Sequence, residues 1–233
     1  MLYLSTWAQS QDRVLMVMGE TRVLDADIYK KNYPAIRNWW MKALPEITYN
    51  RSGYTSESGR AYSLAFFQGD KNLGAYMAKR SELTSKIEND LKGMVEEQVS
   101  NAGGPTMRSV WARVNNNTIM EPGFKIENYD FRKIVMYSVP YNKTKEFEAL
   151  VEAANKEDQA IGIKYNYIVY KCVDGYPTNT YLLFLPAKSR IDYYSAQDER
   201  NAKRKGNEKL RGLSKQMAAL RTSIRLDHLT RIP

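Results

Sequence analysis

Few residues in this chain of 233 could do metal or nucleophilic chemistry: it has one histidine, His228, and one cysteine, Cys172. A zinc site draws three or four ligands from Cys, His and carboxylates, so a site rich in His and Cys is excluded, as is an intramolecular disulfide. Cys172 sits in an apolar stretch, which favours packing over thiolate chemistry. A Cys–His nucleophile would need Cys172 and His228 to meet, and nothing in their spacing suggests it. The glycines of 101–105 form neither a GxGxxG nor a Walker pattern. The sequence identifies no catalytic residues and leaves open whether the protein is an enzyme; no metal or cofactor is expected.

Two other groups of residues remain. The first is aromatic: Trp39, Trp40, Tyr137, Tyr165, Tyr167 and Tyr181 are candidates to line a cleft between a sheet and its helices, although their spacing fits core packing at least as well. Asp130 and Arg132, flanking Phe131, read as a solvated strand edge. The second is basic. The net charge is +9, and a helix near the C-terminus gathers Arg200, Lys203, Arg204, Lys205, Lys209, Arg211 and Lys215. That cluster would hold a polyanion in a salt-dependent, sequence-independent way. The aromatic signature of an RNA-recognition sheet is absent, so nucleic acid is the less favoured partner.

The elements that must position these side chains follow a readable order. In the second half, 131–139 reads as a strand and 143–160 as a helix with Phe147, Leu150, Val151 and Ala154 on one face. Two strands, 163–173 and 179–186, flank the turn Asp174-Gly175-Tyr176-Pro177. A short turn capped by Ser189 leads to a helix carrying Leu210, Leu213, Met217 and Leu220, then a last strand holding Ile224 and Leu226. The first half gives the same order: strand 13–18, helix 25–44 broken or kinked at Pro34, hairpin 47–54 and 60–67, helix 82–99, strand 107–114. This order, βαββαβ, is that of the ferredoxin-like unit.

We therefore expect an α+β chain of two tandem ferredoxin-like modules, 1–118 and 119–233, with the polar run 115–118 and Pro122-Gly123 as linker. The strands are apolar on both faces. In 133–139, Ile134 and Met136 oppose Val135, Tyr137 and Val139, so helices cannot be their sole cover, and the antiparallel sheets should pack together. A second copy of the chain covering the outer faces would produce the same pattern. No run reaches the roughly 20 apolar residues of a membrane span. The N-terminus lacks a basic, signal-like region, so the chain reads as cytoplasmic as written, or exported if a signal segment is missing.

The stretch 165–189, with an aromatic strand ending in Tyr170, the Gly175-x-Pro177 turn, Thr180-Tyr181 and Pro186-x-Lys188-Ser189, resembles uncharacterised bacterial proteins of the dimeric α/β-barrel superfamily. Their relatives in fold are NIPSNAP, EthD and antibiotic-biosynthesis-monooxygenase domains. The resemblance implies two modules closed into one barrel within the chain, and little about activity. Haem-binding members use an axial histidine; here that leaves only His228, which reads better as structural. The leading expectation is a non-catalytic protein that binds a small hydrophobic or aromatic molecule or assembles with itself. A cofactor-independent monooxygenase or isomerase, and polyanion binding by the basic helix, are the alternatives.

Overall fold

The computed structural model describes residues 13–233. Its strands are β1 (Val14–Arg22), β2 (Tyr49–Ser56), β3 (Arg60–Gln68), β4 (Met107–Arg113), β5 (Phe131–Ser138), β6 (Ile168–Asp174), β7 (Thr180–Ala187) and β8 (Thr222–Ile232). Helices α1 (Ala26–Ala43), α2 (Gly69–Asp90) and α3 (Lys92–Ser100) belong to the first half; α4 (Thr144–Ala160), α5 (Arg190–Arg204) and α6 (Glu208–Leu220) belong to the second. All strand pairs are antiparallel, and the strands close into a barrel in the order β1-β3-β2-β8-β5-β7-β6-β4. Closure leaves none of these eight strands with an unpaired edge.

The apolarity of both strand faces now has its cause. Met16, Met18, Tyr54, Leu64, Trp111, Ile134, Met136, Leu182 and Phe184 point inward and fill the barrel. The alternate residues face outward beneath helices, among them Leu15, Val17 and Phe67 in one half and Tyr137, Tyr181 and Leu183 in the other. Cys172 belongs to the barrel interior, its thiol donating towards the carbonyls of Asp174 at 3.2 Å and Tyr176 at 3.3 Å. It lies on β6 and His228 on β8, with β5 and β7 between them.

The interior also holds charge. Glu20, 6% exposed, pairs with Arg225 at 2.5 Å and Arg60 at 3.0 Å, and Tyr62 donates to Asp227 at 3.0 Å. Arg132, expected on a solvated edge, is instead fully buried. It lies over the Tyr54 ring and donates to the carbonyls of Tyr129 and Ile126, both at 2.7 Å. Phe124 and Ile126 of that loop pack against the same core. The supposed linker is thereby fixed in place: Asn117 is buried and bonded to Glu148 and Asn155, and Ile119 bridges to Tyr167.

Four local expectations need correction. α1 is not broken at Pro34 but continues through it; its buried face, Asn32, Tyr33 and Trp40, supplies packing that offsets the lost backbone bond. Helix begins at Gly69, well before residue 82, and breaks at Leu91 into α2 and α3. The Ser189 turn is the N-cap of the 15-residue helix α5, Ser189 accepting from the Asp192 amide. The strand expected from residue 163 starts at Ile168. Among the described residues no helix is long and apolar enough to cross a membrane.

Candidate ligand-binding site

The outer faces of the two halves carry side chains of different size, and this decides whether space remains between these faces and the helices that cover them. On the second half, β5 and β7 set Tyr137 opposite Tyr181, Val135 opposite Leu183 and Lys133 opposite Leu185. Phe147 of α4 closes over the stacked Tyr137 and Tyr181 rings, with centroids 5.3 and 5.2 Å away, and Met217 and Leu220 of α6 pack there too. On the first half, β1 and β3 set Val17 opposite Ala65, Gly19 opposite Ser63 and Thr21 opposite Ala61. Small side chains cannot reach the helices. A cleft of about 600 Å³ lies between this face and α1, α2 and α3, a volume within the usual range for small-molecule sites.

Its walls are apolar and aromatic. Ile36 and Trp40 of α1, Tyr76 and Ile87 of α2 and Val95 of α3 line it, together with Tyr29 and Tyr33, whose rings stack at 5.4 Å. Tyr33 lies flat on β2 because Gly53 has no side chain there; a Cβ on Gly53 would come within 2.3 Å of the ring. α3 is held on α1 by Glu97, which accepts from Asn32 at 2.6 Å and Lys31 at 3.2 Å, and these partners hold its carboxyl below the usual range. Asn101 closes the rim through the Asp25 amide at 2.7 Å and the Asp25 carbonyl at 2.6 Å.

Three arginines enter the same space: Arg51 from β2, Arg80 from α2 and Arg108 from β4. Arg51 lies over the Trp40 ring at 4.9 Å and donates to the Ser63 hydroxyl through Nε at 3.2 Å and Nη2 at 3.1 Å; its buried Nη1 has no hydrogen-bond partner. The Tyr33 hydroxyl lies beside Arg51 and Ser63, and its contacts with them fall short of well-formed hydrogen-bond geometry. Burial, followed by the neighbouring Tyr33 phenol, pushes Tyr29 well above the ordinary tyrosine value; burial also raises Tyr33. Both are neutral hydroxyls at neutral pH. Burial and then the Arg80 guanidinium draw Arg108 down.

The sequence candidates scatter around this site. Trp40 lines it. Trp39 points elsewhere, donating to Asp90 at 2.9 Å and tying α1 to the end of α2. Tyr137 and Tyr181 are core residues of the second half, with Tyr167 packed beside them, and Tyr181 donates to Glu148 at 2.5 Å. Tyr165 donates to the fully buried Asp158 at 2.8 Å and borders a smaller cleft of about 260 Å³ beside α5. The residues missed, Tyr29, Tyr33, Arg51, Tyr76, Arg80 and Arg108, had a signal in the alternation of Ala61, Ser63 and Ala65, which leaves room on one face of a strand.

The basic cluster lies on two helices, α5 and α6, rather than one. Arg204 pairs with both oxygens of Asp158, Lys209 with Glu157 at 2.6 Å and Arg211 with Glu208 at 3.2 Å. Lys203 donates to the Gly162 carbonyl at 3.0 Å, and Arg200 lies 5.0 Å from the centre of the Tyr165 ring. Lys205 lies at the turn between the two helices.

No family model matches the sequence, and no curated protein matches it. Solved structures do resemble it. A candidate monooxygenase from Lactobacillus acidophilus superposes with a TM-score of 0.62 over 94% of both chains at 10% identity. One from Fusobacterium nucleatum gives 0.62 over 94% of this chain and 93% of its own at 14% identity. An anthrone oxidase-like protein gives 0.59 over 97% and 94% at 9% identity. At such identities the likeness speaks for the fold alone. This chain shares the fold of these structures, and its own form of it is a closed antiparallel barrel of eight strands flanked by helices.

Proposed function

We propose that this protein binds a small hydrophobic or aromatic molecule in the cleft between α1, α2, α3 and the outer face of β1, β2, β3 and β4. The carrying observation is the difference between the halves: small residues on β1 and β3 leave about 600 Å³ lined by Tyr29, Tyr33, Trp40 and Tyr76, whereas Tyr137, Tyr181 and Leu183 occupy the matching face of the second half. The architecture behind it is read as two tandem ferredoxin-like modules, 1–118 and 119–233. Supporting this, each half repeats the βαββαβ course, and the strand orders β4-β1-β3-β2 and β8-β5-β7-β6 match.

Binding rather than catalysis is favoured by the lining. Among its described residues there is no His, Cys, Asp or Lys, and the one carboxylate, Glu88, is exposed. General acid–base work at neutral pH calls for a group whose pKa lies near neutrality, which the raised Tyr29 and Tyr33 do not offer. The descriptions of two structural neighbours as candidate monooxygenases support a second reading, cofactor-independent oxygenation in the same cleft.

The test fills the cleft. Thr84 of α2 borders it and is partly exposed, so Thr84→Trp adds an indole without rebuilding the core. With anilinonaphthalene sulfonate as probe, wild type should bind at one site and quench Trp40 fluorescence, and Thr84→Trp should abolish that site at unchanged melting temperature. Equal binding by both proteins overturns the proposal. Oxygen uptake with naphthol substrates, abolished by Thr84→Trp, would favour the second reading.

A further inference from the structure

We propose that the molecule held in this cleft is an amphipathic anion, with an apolar or aromatic body against Tyr29, Tyr33, Trp40 and Tyr76 and an oxyanion head taken by Arg51, Arg80 and Arg108. This rests on the small-molecule reading above and narrows it. Among the described residues, no carboxylate forms an ion pair with any of the three arginines, although fifteen pairs of Lys or Arg with Asp or Glu are found elsewhere among them. Arg108 stands exposed at the rim, where partial burial first, and then the like charges of Arg80 and Arg51, draw its guanidinium down. For the half-buried Arg51 and Arg80, like charge beside an apolar wall is costly unless a counter-charge joins it.

The cleft already provides parts of a receptor for an oxyanion. Arg51 is clamped by Trp40 behind it and Ser63 beside it, so its rigid fork is aimed before a ligand arrives. Two buried donors there, Arg51 Nη1 and the Tyr33 hydroxyl, lie near each other but close no well-formed hydrogen bond, and Tyr33 is 2% exposed. A guanidinium fork meets a carboxylate or phosphate with two parallel hydrogen bonds, and a neutral tyrosine can donate a third. Glu88, on the rim, is the one acidic residue among the lining side chains.

Isothermal titration with naphthoate, naphthyl phosphate and naphthylmethanol separates the parts of this inference. Wild type should bind at least one of the two anions ten times or more tighter than the alcohol, the ratio expected when charged hydrogen bonds are added to the same apolar contact. Arg51→Gln should remove that preference and leave alcohol binding within about threefold. Because Arg51 also supports Trp40, the Arg80→Gln/Arg108→Gln double variant serves as a second test, with folding checked by melting; it should weaken the anion and spare the alcohol. The phosphate and carboxylate arms show which head is preferred. Equal affinity for alcohol and anions, or an anion preference that survives both variants, overturns the anionic head while leaving small-molecule binding intact. Failure of all three probes, in a protein where Thr84→Trp also changes nothing, overturns the reading on which it rests.

Discussion

At the scale of single residues, the side chains that look reactive are engaged in structure. Burial raises the Cys172 thiol above its ordinary value, so its thiolate is scarce at neutral pH. We expect no alkylation by iodoacetamide in the native protein and full reaction once denaturant opens the barrel; rapid native labelling would contradict the burial. Asp158 is fully buried, bonded by Tyr165 and paired with Arg204, which is 27% exposed. Removing one member of a buried pair costs roughly 3–5 kcal/mol. Asp158→Asn should therefore lower stability by about 3 kcal/mol in urea unfolding, near the low end because Arg204 keeps some water. Gly53 and Tyr33 form another unit. Gly53→Ala should cost about 1–3 kcal/mol by overpacking, and the penalty should shrink sharply in a Tyr33→Ala background, since the clash is with that ring.

At the scale of elements, side-chain size along paired strands decides what the helices can seal. Leu183 is 5% exposed beneath α4 and α6, and Leu183→Ala should open a void where the structure is now closed. A loss of about 2–5 kcal/mol is expected in denaturant unfolding; a loss under 1 kcal/mol would show that the second half is not the packed counterpart of the first. Much at this level was legible in the sequence. The order of strands and helices followed from periodicity, and the two-faced apolarity of β5 and β7 required cover on both sides. The helical stretch from Gly69 was not legible, because Asp70-Lys71-Asn72 is polar and Gly74 breaks the pattern. α5 was hidden for a related reason: its buried residue is Tyr193 alone. Aromatic residues drew attention to Tyr137 and Tyr181, which are packed. The cleft is made by small residues opposite them in kind, and its cations sit on three elements far apart in sequence, a convergence that pairing creates and spacing does not show.

At the scale of the whole molecule, one closed barrel places charge inside and tyrosines beneath its helices, and this sets the response to alkali. Burial pushes Tyr49 and Tyr167 each up to about 12, against about 10 in the unfolded chain. Between those values the unfolded state gives up phenolic protons that the folded state keeps, so stability is full below about pH 10 and falls as pH rises towards 12. Urea midpoints should be flat from pH 7 to 9 and drop by pH 11, with phenolate absorbance in the native protein lagging behind free tyrosine. A rise in stability over that interval would contradict the burial of these rings. The halves thus share one barrel and its alkaline limit, but the cleft lined by Tyr33 and Trp40 belongs to the first, and a wider, separate one of about 1160 Å³ is bordered by β4, β6 and α4. Its role is tested most directly by a crystal structure grown with saturating naphthoate. The account predicts density for the naphthalene ring between α1 and β3, against Tyr33 and Trp40, with the carboxylate on Arg51. Naphthoate ordered elsewhere on the molecule, with this cleft filled by collapsed side chains, would contradict it.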